Sequence, residues 1–146
     1  MKLVSMIMRE ETYTFTPDDG TDPVTIRSGK LREWLLANAM HKVIVLTFPE
    51  QPLEELVEQH GLEQPRLDSM TLLEASEPVI VGLWPGGTHI LIDGGHRRYF
   101  WAARNVVKLK GWAVPPEIWT QFIFDPTAPG VIRHEHDGSL LPQRRK

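Results

Sequence analysis

The sequence predicts an α/β fold of the mixed α+β kind, a small mixed sheet with flanking helices, and three observations carry that expectation. Val43-Ile44-Val45-Leu46-Thr47-Phe48 is a continuous apolar, β-branched run, the pattern of a buried strand. Val79 to Trp84, a Pro85-Gly86-Gly87 turn and His89 to Ile92 together read as a hairpin. Segments with helical spacing and their own start and stop residues are interleaved with these strands.

Taken in order, residues 3–8 and 12–16 are short β-prone runs, closed by the turn chemistry of Pro17-Asp18-Asp19-Gly20. Val24 to Arg27 adds a short strand. Ser28 is placed to cap a helix reaching about His41, with Leu31, Trp34, Leu35 and Ala39 near one face. Pro52 suits the first turn of a helix whose Leu53, Leu56, Val57 and His60 share a face, and Gly61 stops it. A further short helix is expected after Asp68, through Met70, Leu73 and Glu74, ending at Pro78. After the hairpin, a helix runs from Arg97 to about Val107, and Ile118 to Phe124 reads as a last strand behind Pro115 and Pro116. The apolar signal fades after Asp125-Pro126. The expected organisation is therefore one domain over 1–125, with a core at 66–124, and a mobile or docked tail at 126–146.

Composition narrows the function classes. A chain of 146 residues, 41% hydrophobic and 24% charged, is long enough to bury a core. Its five tryptophans each bring an indole N–H that needs a partner, so several are expected to be only partly buried. The formal charge of −3 gives no global attraction to nucleic acid or an anionic membrane, so any such contact needs a local patch. The chain has no cysteine, which excludes disulfides, thiolate metal sites and thiol nucleophiles and fits a cytoplasmic location. No apolar run suggests a signal peptide or a membrane span.

The most informative stretch is Ile90-Leu91-Ile92-Asp93-Gly94-Gly95-His96-Arg97-Arg98, a strand, a glycine turn and the basic first turn of a helix. Glycine permits the tight turn and the close approach of a ligand to the first N–H groups of the helix. Three basic side chains at that end oppose the helix dipole unless an anion is held there. The same residues also admit a plain reading, with Asp93 a helix cap and the arginines a solvated face.

Asp93-Gly94-Gly95-His96-Arg97-Arg98 after an apolar strand, with Ala102-Ala103 in the helix and Glu77-Pro78-Val79-Ile80-Val81 one hairpin earlier, resembles the core of the ParB N-terminal/sulfiredoxin-like superfamily. The resemblance covers about residues 66–124. It implies that Gly94, Gly95, His96, Arg97 and Arg98 bind nucleotide phosphates, and that the cofactor is a nucleoside triphosphate with Mg²⁺. The sulfiredoxin cysteine position is Gly95 here, so sulfinic-acid reduction is excluded on chemistry. The helix-turn-helix and dimerisation domains that follow in partition proteins are absent from this chain, and residues 1–65 match nothing in the resemblance.

Glu77 is either a base or magnesium ligand, or a surface acid; Asp93 is either a cap or a functional carboxylate; His96 is a phosphate ligand or a proton-transfer group. His134-Glu135-His136-Asp137 is a weak metal pattern and Arg144-Arg145-Lys146 a basic terminus. His41, His60 and His89 read as structural, and Trp84 and Trp112 as packing residues with a lesser prospect of stacking on a base. The expected function is nucleotide binding, with hydrolysis or phosphoryl transfer in view. The rival is a non-enzymatic DNA- or protein-binding module of a plasmid, phage or partition-type system, its partner met by residues 1–65, and a nuclease is a weaker third.

Overall fold

The computed structural model describes residues 11–17 and 22–124. In chain order the elements are β1 (Tyr13–Phe15), β2 (Val24–Ile26), α1 (Ser28–Asn38), β3 (Ile44–Thr47), α2 (Leu53–His60), α3 (Gln64–Ser69) and α4 (Leu72–Ala75). They continue with β4 (Val79–Leu83), β5 (His89–Asp93), α5 (Gly95–Ala102), β6 (Lys108–Val114) and α6 (Pro116–Trp119). The fold class is the mixed α/β class expected. The chain divides into two compact units, Ala39–Pro116 and a second formed by Met1–Asn38 with Glu117–Lys146.

In the second unit, β1 pairs antiparallel with β2, and the Thr14 and Thr25 hydroxyls meet across the pair at 2.7 Å. α1 follows at once and buries Leu31 and Leu35, two residues of the predicted face. Trp34 stays partly exposed, its ring tilted against Phe122 at 6.4 Å. The helix stops at Asn38, short of His41, and Met40–Lys42 form a separate 3-10 turn. Ser28, expected as the cap, is the first helical residue.

The strand expected over 118–124 is not formed. Pro116 opens α6, where its fixed φ and missing N–H suit a first helical position, and Thr120–Phe122 continue as a 3-10 turn. Only the end of the stretch is extended. Ile123 bridges Ile26, the Phe124 N–H donates to the Thr25 carbonyl at 2.7 Å, and the Arg27 N–H donates to the Phe122 carbonyl at 2.7 Å.

The unit Ala39–Pro116 is built on a four-stranded sheet in the order β3-β6-β4-β5. β4 and β5 form the predicted hairpin, and a register shift between Ile80 and Val81 leaves Ile92 as an extra residue just before the glycine turn. β6 lies centrally, parallel to β4 and antiparallel to β3. Sequence periodicity missed this strand, because Lys108, Lys110 and Gly111 interrupt its apolar residues; Leu109, Trp112 and Val114 are nonetheless buried. The helix expected to reach Val107 ends instead at Ala102, and Asn105 turns the chain with a φ of 62°.

β3 was expected to be buried and is an edge strand. Among the described residues it pairs only with β6, and Ile44 and Val45 are 51% and 62% exposed. Because β3 and α2 belong to this unit, residues 39–65 stand with the hairpin rather than apart from a 66–124 core. The helix expected after Asp68 is two short ones. Asp68 lies inside α3, and Thr71 is the true cap of α4, exchanging hydrogen bonds with Glu74 in a capping box.

The core joins Val79, Ile80, Ile92, Leu109, Trp112 and Val114, and the Trp112 indole N–H donates to the Ala39 carbonyl at 2.8 Å. Each such aliphatic side chain contributes roughly 1.5–3 kcal/mol by burial. Gly111 pairs with Ile44 on one side and Val79 on the other. A Cβ there would lie 2.6 Å from the Val79 carbonyl oxygen and 2.9 Å from Leu46 Cδ1. The contact is with backbone, so it cannot relax by a rotamer change. Gly111→Ala is therefore expected to destabilise the protein by about 2–4 kcal/mol, measured as a fall in the denaturant midpoint at constant slope.

Candidate functional site

The turn that opens α5 needs both of its glycines, for different reasons. Gly94 holds a φ of +125°, outside the range L side chains favour, and a Cβ on it would fall 2.5 Å from Val79 Cγ1. Gly95 is ordinary helix, but a Cβ there would lie 2.9 Å from His60 Cβ and 3.1 Å from Leu62 Cδ2. The end of α2 and the residues after it thus pack directly on the first turn of α5. Gly61 makes this path possible: as the left-handed cap of α2, with φ 60°, it turns the chain so that the Leu62 N–H donates back to the Val57 carbonyl at 3.0 Å. One step further on, the Glu63 N–H donates to His96 Nε2 at 3.2 Å.

That bond requires Nε2 to be unprotonated, so the neutral His96 ring carries its proton on Nδ1. Burial, reinforced by Arg66 and Arg97, lowers the His96 pKa, against the opposing pull of Glu63 and Asp93. The first helical hydrogen bond runs from the Arg98 N–H to the Gly94 carbonyl at 2.8 Å. Among the described residues the backbone N–H groups of Gly95 and His96 meet no acceptor. Gly94, with no side chain of its own, stands at the cap position, and Asp93 lies one residue before it.

Arg97 and Arg98, adjacent in sequence, part company because successive helical residues point about 100° apart. Arg97 turns toward the strands. Its Nη2 lies 3.7 Å from Glu77 Oε1, and its Nη1 lies 4.0 Å from Asp93 Oδ1 and donates to the Pro78 carbonyl at 3.5 Å. Both carboxylates singled out as candidate site residues are therefore partners of one buried guanidinium, which braces the start of β4 against the end of β5.

Arg98 turns the other way, into the segment between β3 and α2. Its Nη2 donates to the Pro49 carbonyl at 3.1 Å and to Gln51 Oε1 at 2.8 Å, and its Nη1 donates to His60 Nε2 at 3.2 Å. The guanidinium carbon stands 4.9 Å from the centre of the Phe48 ring, a cation–π contact. Burial lowers the Arg98 pKa from its ordinary value. Arg98 is 6% exposed, and among the described residues no carboxylate pairs with it.

Sequence reasoning gave Phe48, Gln51 and His60 no part in the site. The signal for His60 was its place on the inner face of α2 with Leu53, Leu56 and Val57; Phe48 and Gln51 offered none. His41 and His89 are exposed, Trp112 is buried and so unavailable for stacking, and Trp84 is half-buried. Residues 134–137 and 144–146 lie outside the described residues.

Among the described residues no group of three or more His, Asp or Glu side chains could hold a metal ion. Glu77 and Asp93, the two carboxylates singled out from the sequence, both lie beside Arg97. No described helix is long and apolar enough to cross a membrane. Compared with models of protein families, with curated proteins and with solved structures, the chain matches none.

His60 makes the site sensitive to pH. Burial, with Arg98 and His96 nearby, lowers its pKa from 6.5 to about 4. A depressed folded-state pKa means that the unfolded chain binds the proton first, so stability is full above pH 6.5 and falls as pH drops toward about 4. The loss is expected to be on the order of 1 kcal/mol, allowing for solvent screening of a partly exposed ring. Thermal unfolding at pH 7 and pH 5 checks this; His60→Gln should shrink the pH-dependent difference in Tm.

Proposed function

We propose that this chain binds the phosphate group of a nucleotide on the first turn of α5, as the resemblance to ParB N-terminal/sulfiredoxin-like proteins implies. The observation that carries this reading is the pair of N–H groups, on Gly95 and His96, that meet no acceptor among the described residues at the positive end of a helix. The neutral His96 ring adds an Nδ1–H donor, and Arg97 is held at the same end of the helix by Pro78, Glu77 and Asp93. Arg66 and Arg97 together act electrostatically on the His96 ring, and an anion there would relieve that field.

Binding, rather than turnover, is the function the geometry supports best. Hydrolysis or phosphoryl transfer needs a carboxylate to hold a metal or orient a nucleophile. Glu77 and Asp93 would first have to leave Arg97.

The test is an NMR titration with ATP, inorganic phosphate and adenosine, with and without Mg²⁺, read at the Gly95 and His96 amides. ATP and phosphate should shift both amides to saturation, while adenosine, lacking phosphate, should leave them in place. Arg97→Lys, which keeps the charge but loses the planar fork, is expected to weaken ATP binding about tenfold. Unmoved amides with every phosphate compound, or equal shifts with adenosine, would refute the reading. A DNA duplex in place of ATP would give an affinity falling steeply with salt, through counterion release, if the chain bound nucleic acid instead.

A further inference from the structure

Arg98 is a buried cation whose hydrogen-bond partners among the described residues are all neutral: a carbonyl, an amide oxygen and an imidazole nitrogen. Such contacts satisfy donors but leave the charge unbalanced, which is costly in a buried place. They also leave donors over. Two of the five guanidinium N–H groups, the Nε–H and one on Nη1, have no acceptor among the described residues.

Beside this guanidinium lies a cavity of about 180 Å³, of which Arg98 and Gln51 form part of the wall. Polar and apolar groups share the wall in near-equal measure, and Leu56, Val106, Val107 and Leu109 supply its apolar side. Asn105 lines the cavity as well, held at a φ of 62° that a non-glycine residue seldom adopts. Its side-chain amide has no protein partner among the described residues. The volume is about that of a space able to hold a benzene ring.

We infer that this cavity is a binding site for a small organic carboxylate with an apolar body, its carboxylate paired with Arg98 and its hydrocarbon part against Leu56, Val106, Val107 and Leu109. One negative charge balances the one positive charge. A phosphate dianion would exceed it, and the exposed Glu50 carboxylate that also lines the cavity would repel a dianion about twice as strongly as a monoanion. The cavity adjoins the C-terminal end of α5 and the turn after it, so this site is separate from the phosphate site at Gly95 and His96 and stands without it.

Benzoate is the probe, with its neutral isostere benzamide and inorganic phosphate as comparisons, each titrated into the full chain and followed by amide NMR. Benzoate should shift the Asn105, Val106 and Val107 amides to saturation, and benzamide should bind about tenfold more weakly, the difference between a charge-assisted and a neutral hydrogen bond. Arg98→Met should abolish that preference. Ala102→Leu, which fills the cavity from the last turn of α5, should abolish both responses while leaving Arg98 in place, and so serves if the Met variant does not fold. Equal binding of benzoate and benzamide, shifts confined to Gly95 and His96, or tighter binding of phosphate at residues 105–107 would each overturn the assignment.

Discussion

Val79 is wedged between two glycines that cannot carry a side chain. On one side Gly94 brings the end of the hairpin against the Val79 side chain; on the other Gly111 brings β6 against its backbone. The sheet's central spacing and the placement of α5 are thus set by one residue at the start of β4. Any side chain at either glycine would push α5 or β6 outward, and α5 carries both arginines. The site is consequently a property of the sheet's packing as well as of the turn itself.

From that fixed origin the two arginines take opposite duties. Arg97 faces Glu77 and Asp93, so its charge is offset and its role is to tie the strand ends together. Arg98 faces neutral groups and keeps its charge. Their difference follows from helical geometry alone, since neighbours on α5 cannot point the same way. It also divides the basic turn into a backbone donor region at its start and a buried cation behind it. A lysine at either position would lose the branched set of donors through which each guanidinium reaches several partners.

Much of this was legible in the sequence, where the signal was local. The β4–β5 hairpin, α2 with its Gly61 stop and the helix after the glycine turn each rest on turn or cap chemistry, and each is present. The misplaced elements were decided by tertiary context. β6 has two lysines and a glycine, yet lies in the middle of the sheet because Gly111 permits the close approach of Val79. β3 has the composition of a buried strand, yet among the described residues it lies at an edge with β6 as its one strand neighbour. Residues 118–124 alternate like a strand, but Pro116 starts a helix. In the site, the motif residues were found together at one turn, whereas the segment reached by Arg98 lies some 40 residues away in sequence, a long-range pairing that periodicity does not encode.

His60 is where the two regions of the site meet. Its Cβ sits where a side chain at Gly95 would go, and its Nε2 accepts from Arg98. Only a neutral ring can do the second, because an imidazolium has no acceptor nitrogen. Burial is the first cause of its lowered pKa, and the Arg98 contact adds to it: the cation that the ring helps to seat also discourages its protonation. The glycine at position 95 is what makes room for that ring. Absence of a side chain at the head of α5 and retention of a buried charge four residues into the helix are two consequences of one packing arrangement.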